Sequence, residues 1–350
     1  HTYRIEHLAS LDRPTPFQRA AALAEGRSAR ASTTIAVIGD GGKIAGMSGV
    51  TGQVPAAPLA EVAVTGPERV AAAFAARRAR GQAALVTYVM GGDPDLRASR
   101  DLALACAEGG ADVLEIGIPF SDPIADGPTI QAAGERALAA GTTPAGVLEL
   151  AAEVRRRTEV PIALMGYLNP VLAHGEARFL ENCARAGVDA LILPDLPPEE
   201  AGEMGRLARQ QGVGMVFLLA PTSTEARRAA ACAASTAFVY FVSVTGVTGA
   251  RRELPADLPA QLGAVRAVSP VPVVVGFGVS TPGQARELSR LADGVVVGSA
   301  IVSRAAAGGS RAVRAARVRR FVASLARAMR RSRNRAEATS SPAPSSRPCP

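Results

Sequence analysis

The sequence predicts an α/β protein: a single-domain (β/α)8 TIM barrel with disordered extensions at its N- and C-terminal ends. Three observations lead there. Eight short β-branched runs alternate with Ala/Leu/Glu/Arg-rich stretches, the pattern of repeated βα units. The runs are apolar almost throughout rather than alternately polar, as strands buried on both faces are. The alternation fills residues 65–330, and a barrel of roughly 250 residues needs no second domain.

Taken in chain order, residues 1–64 show no sustained periodicity and read as a low-order extension. The stretch Gly39 to Lys43 is not a phosphate loop, because Val37 and Ile44 stand where glycine and a hydroxyl residue are required. No secretory signal is visible, and an Arg-rich transit leader is disfavoured by Asp12 and Glu25. Strands are expected at 84–89, 112–117, 161–167, 188–194, 213–219, 236–243, 271–276 and 294–298. A final helix follows from the stripe Val318, Phe321, Val322, Leu325 and Met329, set opposite arginines that read as a solvated face. Residues 331–350, rich in Ser, Pro and Arg, read as a disordered tail.

Composition narrows the chemistry. Apolar residues make up 48% of the chain, enough for a sizeable core, and no apolar run is long enough for a membrane span. Only one of 39 cationic side chains, Lys43, is a lysine, and the histidines are His1, His7 and His174. A Schiff-base lysine in the barrel, a multi-histidine metal centre and an ordinary Ser-His-Asp triad are thereby excluded. Carboxylates, tyrosines and backbone amides remain. The net charge of +8 is misleading, since residues 304–350 hold twelve arginines against one glutamate and the rest of the chain sums to −3. Without aromatic residues interleaved for base stacking, neither nucleic acid nor a membrane surface is expected as a partner. Four scattered cysteines with no CxxC pair fit a reduced, cytoplasmic setting.

Spacing then directs attention to two intervals. Most strand-to-strand steps are about 23–28 residues, but the second to third takes about 49 and the sixth to seventh about 35. Such excess is expected in loops at the carboxyl-end face, where barrels keep their sites. In the first interval, Glu115 interrupts an apolar strand and shares a face with Val113. If that face looks inward, desolvation raises its pKa and fits it to acid–base work; otherwise it is a structural glutamate bonded to nearby backbone. Asp122 and Asp126 follow among three prolines, as turn residues or as presented carboxylates. In the second interval, Tyr240 is either core or a hydroxyl aimed into the site, and 244–251 is a lid or a plain glycine-bearing loop. The glycine-rich turns at 276–280 and 298–300 follow the seventh and eighth strands, where barrels commonly hold phosphate on backbone amides.

Seven segments now resemble one family. LEIG at 114–117, PFSDPIADGP at 119–128, MGYLNP at 165–170, LPDLP at 193–197, GVTGAR at 246–251, GFGVS at 276–280 and GSAIV at 298–302 closely resemble the tryptophan synthase alpha chain family in order and spacing. The resemblance implies retro-aldol cleavage of indole-3-glycerol phosphate to indole and glyceraldehyde 3-phosphate. It implies Glu115 as the general acid/base and Asp126 as the aspartate bonding the indole N–H. Tyr240 and Thr248 match residues that line the indole site and order the lid; Gly249, Gly278, Gly298 and Ser299 match the phosphate cradle. The lack of a barrel lysine argues against the related lysine-dependent barrels.

The resemblance also implies a beta-chain partner in an α2β2 heterotetramer, with Pro119, Asp122, Asn169 and Asp195 facing it. No cofactor is expected in this chain, because pyridoxal phosphate belongs to the beta chain. Two departures stand out: Tyr88 at the indole wall where the family usually has Phe, and Val244 where some members carry a basic residue. A free-standing lyase and a non-catalytic activator of the beta chain stay open, although intact Glu115 and Asp126 argue against the activator.

Overall fold

The structure, a computed structural model, describes residues 64–242, 255–276 and 278–330. The expected extension and tail, Thr248, Gly249 and Val244 lie outside the described residues. A helix, α1 (Gly66–Arg78), precedes β1 (Ala84–Met90) and α2 (Leu96–Gly109). Next come β2 (Val113–Gly117), α3 (Pro128–Ala139), α4 (Pro144–Arg155) and β3 (Ile162–Met165). Two helices, α5 (Leu168–His174) and α6 (Glu176–Arg185), lead to β4 (Ala190–Ile192), α7 (Gly202–Gln210) and β5 (Gly214–Leu219). The remainder is α8 (Glu225–Ala234), β6 (Val239–Val242), α9 (Leu258–Val268), β7 (Val273–Gly276), α10 (Pro282–Leu288) and β8 (Gly294–Val297). Two helices, α11 (Ser299–Ala306) and α12 (Arg311–Arg330), end the described chain.

All eight strands run parallel and close into a barrel, β1 pairing with both β2 and β8. Alternation divides each strand between two cores. Leu114 and Ile116 face outward into the large core under the helices, while Val113 joins Ala84, Val86, Ala163, Ile192, Val216, Phe238, Val274 and Val296 inside the barrel. Each such side chain removed from water contributes roughly 1.5–3 kcal/mol. Val70 and Phe74 of α1 plug the amino-end mouth of the inner core. Glu115, two residues after Val113, therefore points into the barrel one layer nearer the carboxyl end.

The amino ends of the strands are held by a repeated device that sequence reading did not anticipate. Asp112, Asp189 and Asp293 each stand just before an even strand. Each accepts the first free amide of the neighbouring odd strand, from Leu85 (2.9 Å), Ile162 (2.7 Å) and Val273 (3.0 Å) respectively. Each also takes an arginine of α1: Arg77, Arg69 and Arg78. The carboxylates thus satisfy orphan strand donors and anchor the plug at once.

Two expectations need correction. The long interval between β2 and β3 is only partly loop: a ten-residue stretch, 118–127, is followed by an additional helix, α3 before α4. Nor is the basic face of α12 wholly solvated. Val318, Val322, Leu325 and Met329 are buried as expected, but Phe321 is half-buried, with the Arg304 guanidinium 3.5 Å above its ring. Arg317 donates to the backbone carbonyls of Arg304, Ala307 and Gly308, which α11 leaves unpaired at its end. No helix among the described residues is long and apolar enough to cross a membrane.

Candidate active site

The carboxyl ends of the strands bring together side chains from distant parts of the chain. Glu115 on β2 lies beside Tyr88 on β1 and Ala163 on β3. It is 1% exposed, and its Oε2 has no hydrogen-bond partner among the described residues. Burial pushes its pKa up to about 8, with the charge of Asp126 adding to the effect. The structural alternative for Glu115, a carboxyl tied to nearby backbone, therefore has no bond to support it.

Asp126 arrives from the β2–α3 loop. Partial burial raises it to about 6, a hydrogen bond from the Tyr167 hydroxyl opposing that rise. Tyr167, buried at the carboxyl end of β3, accepts the Ala125 amide at 3.0 Å and stacks on Phe120, centroids 5.2 Å apart. One phenol thus pins both the loop backbone and the carboxylate it carries. The loop leads straight into α3, where the Gln131 side chain holds the Asp126 carbonyl at 2.9 Å. Arg136 of α3 is tied by two 2.8 Å bonds to buried Asp93 after β1. Tyr167 is the site residue sequence reading missed, although it lay within a motif already singled out.

Two tyrosines complete the floor in parallel ways. A Cβ placed on Gly117 would lie 2.1 Å from the Tyr88 hydroxyl, and one on Gly276 would lie 2.8 Å from that of Tyr240. Each ring therefore extends across a glycine of the next strand. Burial, reinforced by Asp126 and Glu115, raises both phenols well above 10, so they stay protonated as donors at neutral pH. The Tyr88 hydroxyl donates to the Met90 sulfur at 3.8 Å.

At the β7 and β8 ends the geometry suits an anion. Gly278 has φ +56° with open space where a side chain would stand. Gly298 abuts Tyr88 and precedes α11, whose first amides, beginning with Ser299, have no side-chain cap. Among the described residues no cluster of His, Cys, Asp and Glu is arranged to hold a metal. Of the residues expected to face a partner, Asp122 and Asn169 are exposed on the same rim. Pro119 is buried within the chain, and Asp195 caps α5 by accepting the Leu168 amide at 3.0 Å.

A family model described as tryptophan synthase alpha chain matches residues 74–330. The chain belongs to that family. The tryptophan synthase alpha chain of Geobacter sulfurreducens is 53% identical over 234 residues, which is 67% of this chain and 89% of the relative. That of Citrifermentans bemidjiense is 52% identical over 234 residues, 67% and 88% respectively. Among solved structures, a chain of Mycobacterium tuberculosis tryptophan synthase superposes with a TM-score of 0.70 at 39% identity, covering 75% of this chain and 98% of its own. As a tryptophan synthase alpha chain, the protein is a lyase of tryptophan biosynthesis acting on indole-3-glycerol phosphate.

Proposed function

We propose that the chain runs this reaction as a retro-aldol cleavage, with Glu115 moving both protons and Asp126 supporting the ring. The observation that carries the reading is the Glu115 carboxyl: buried in the barrel mouth, with a free oxygen and a pKa raised to about 8. Such a group is protonated at neutral pH and has an open acceptor, so it can serve as acid and then as base.

In the first half, Glu115 gives its proton to indole C3, and positive charge develops on the ring nitrogen. Asp126, ionised above about pH 6, accepts the ring N–H and stabilises that charge. In the second half, the Glu115 carboxylate takes the proton of the glycerol hydroxyl on the carbon attached to C3. The bond between that carbon and C3 breaks, its electrons return to the ring, and indole and glyceraldehyde 3-phosphate result. One proton is given and one recovered, so the enzyme ends as it began. Tyr88 and Tyr240 wall the indole, Thr248 orders the lid, and Gly249, Gly278, Gly298 and Ser299 hold the phosphate on amides and the α11 dipole.

The same reading gives the chain a beta-chain partner in an α2β2 assembly. The partner holds pyridoxal phosphate, for which this barrel has no lysine to form an imine. The surface offered by the rim is Asp122 and Asn169 together with Ile124, 84% exposed, and Leu172, 49% exposed; large apolar side chains left in water at one rim favour a docking partner. Pro119 and Asp195 shape that rim from beneath. Residues 65–330 form the catalytic domain, with 1–64 and 331–350 as extensions, and buried free Cys106, Cys183 and Cys232 suit the cytoplasm. The test is indole released from indole-3-glycerol phosphate by the purified chain, alone and with a beta chain. Slow turnover that rises strongly with the partner is expected. Fast turnover alone would make it an autonomous lyase, and none in either condition would leave only an activator.

A further inference from the structure

The apolar side chains at the carboxyl-end mouth form a cluster of their own, separate from the inner and outer cores. Tyr88 and Met90 of β1, Ile130 of α3 and Val302 of α11 build it, and Met165 at the end of β3 packs against it. The cluster adjoins both reacting carboxyls. Tyr88 is the register partner of Glu115, and Ile130 follows Asp126 by four residues on the same loop-to-helix segment. Two polarisable thioethers and branched aliphatic chains around a phenol suit the face of a flat aromatic ring.

Of the side chains in this cluster, only Tyr88 carries a hydrogen-bond donor. Its hydroxyl occupies the place that a side chain on Gly117 would take. That is the inward face of β2, two residues beyond Glu115, or about 6.5 Å further along the strand. The hydroxyl therefore points across the barrel mouth. It donates to the Met90 sulfur at 3.8 Å, and a thioether is a weak acceptor. Burial, with the charges of Asp126 and Glu115 adding to it, keeps the phenol protonated at neutral pH. A good donor held against a weak acceptor in apolar surroundings gains from any oxygen brought within reach.

We propose that Tyr88 is a specificity-determining residue, which opens the ring site to indoles carrying a hydroxyl group on the benzene ring. The inference rests on the proposed function, in which the ring stands against Tyr88, and deepens it by naming a wider substrate class. In that arrangement Asp126 takes the ring N–H, so the benzene edge is left to meet the phenol. A wholly apolar wall tolerates an added hydroxyl without favouring it. A wall with a donor favours the hydroxyl over a methyl group of similar size.

The chain contains no tryptophan, so the fluorescence of an indole ligand reports its binding to the full-length protein without turnover. The ligands are indole, the four hydroxyindoles substituted on the benzene ring and the four matching methylindoles. Each is titrated with the parent and with Tyr88→Phe, which removes the hydroxyl alone. The ratio of hydroxyindole to methylindole affinity is taken within one protein, so a general weakening of the site cancels. At one ring position or more the parent is expected to prefer hydroxyl to methyl by at least about threefold, the effect of one neutral hydrogen bond, and Tyr88→Phe to lose that preference. A parent without the preference at any position, or a preference that survives in Tyr88→Phe, would overturn the proposal. A parent that binds no indole at all would remove the proposed function with it, whereas indole binding with unmoved ratios would strike this inference alone.

Discussion

The Tyr88 hydroxyl lies across Gly117 so closely that a Cβ on the glycine would stand 2.1 Å from the oxygen and 2.7 Å from Cζ. Gly117 is thus required by packing, since its neighbour on β1 occupies the volume of any side chain. Gly117→Ala is expected to displace the Tyr88 ring, destabilise the fold by about 1–3 kcal/mol and slow cleavage. Adding Tyr88→Phe removes the worst contact and is expected to restore part of both losses. Denaturant titration and indole release on the single and double variants check this; additive losses would contradict it.

Tyr167 is tied to the carboxylate and to the loop, so its hydroxyl has two effects. Tyr167→Phe is expected to raise the pKa of Asp126, because the lost hydrogen bond is the one opposing burial. It also frees the Ala125 amide. Losing one hydrogen bond to a charged group costs about 1.5–3 kcal/mol, or roughly 10–100-fold in kcat/KM. An acidic limb shifted upward, measured alongside that loss, separates this role from simple packing.

The proton inventory predicts a bell-shaped pH dependence of kcat/KM. Asp126 must be ionised to support the ring, so activity falls below about pH 6; Glu115 must start protonated, so activity falls above about pH 8. Steady-state kinetics from pH 5 to 9 reads both limbs. In the Glu115→Asp variant the alkaline limb should move, while the acidic limb stays near its place.

Stability should carry the same signature. Folded Glu115 keeps its proton up to about pH 8, whereas an unfolded chain releases it near about 4.3. Between those values the folded state binds the extra proton, so this contribution to stability is full below the lower value and is lost as pH rises towards 8. Its size is on the order of a few kcal/mol. Urea unfolding across this window should show a decline that Glu115→Gln flattens; an equal slope in both proteins would contradict the raised pKa.

The barrel was legible in the sequence because parallel strands buried on both faces leave uniform apolar runs, and all eight were found within a few residues of their observed ends. Glu115 was legible for a related reason, as a carboxylate interrupting such a run. Alternation put it on the same face as Val113, and the place of Val113 in the inner core showed that this face looks inward. The arginines of α12 misled because Arg317 bonds backbone carbonyls at the end of α11, while Arg311 and Arg319 pair with Asp101 and Glu108 of α2, and neither kind of partner shows in the spacing of α12 itself. The Asp112, Asp189 and Asp293 belt was invisible because its partners lie on α1 and on neighbouring strands, up to 215 positions away in the case of Arg78 and Asp293. Tyr167 was read as part of a motif and not as a site residue, since its bond to Asp126 depends on how the loop folds back.

The most direct test of the central claim is indole release by Glu115→Gln in the presence of a beta chain. Glutamine fills the same volume but neither gives nor takes the proton. Cleavage should fall by at least the roughly 10²–10⁴-fold that a positioned acid–base group supplies, while far-UV circular dichroism and partner binding stay as in the parent. Cleavage at the parental rate would contradict the account, because the buried, unpartnered carboxyl of Glu115 would then have no part in moving the protons.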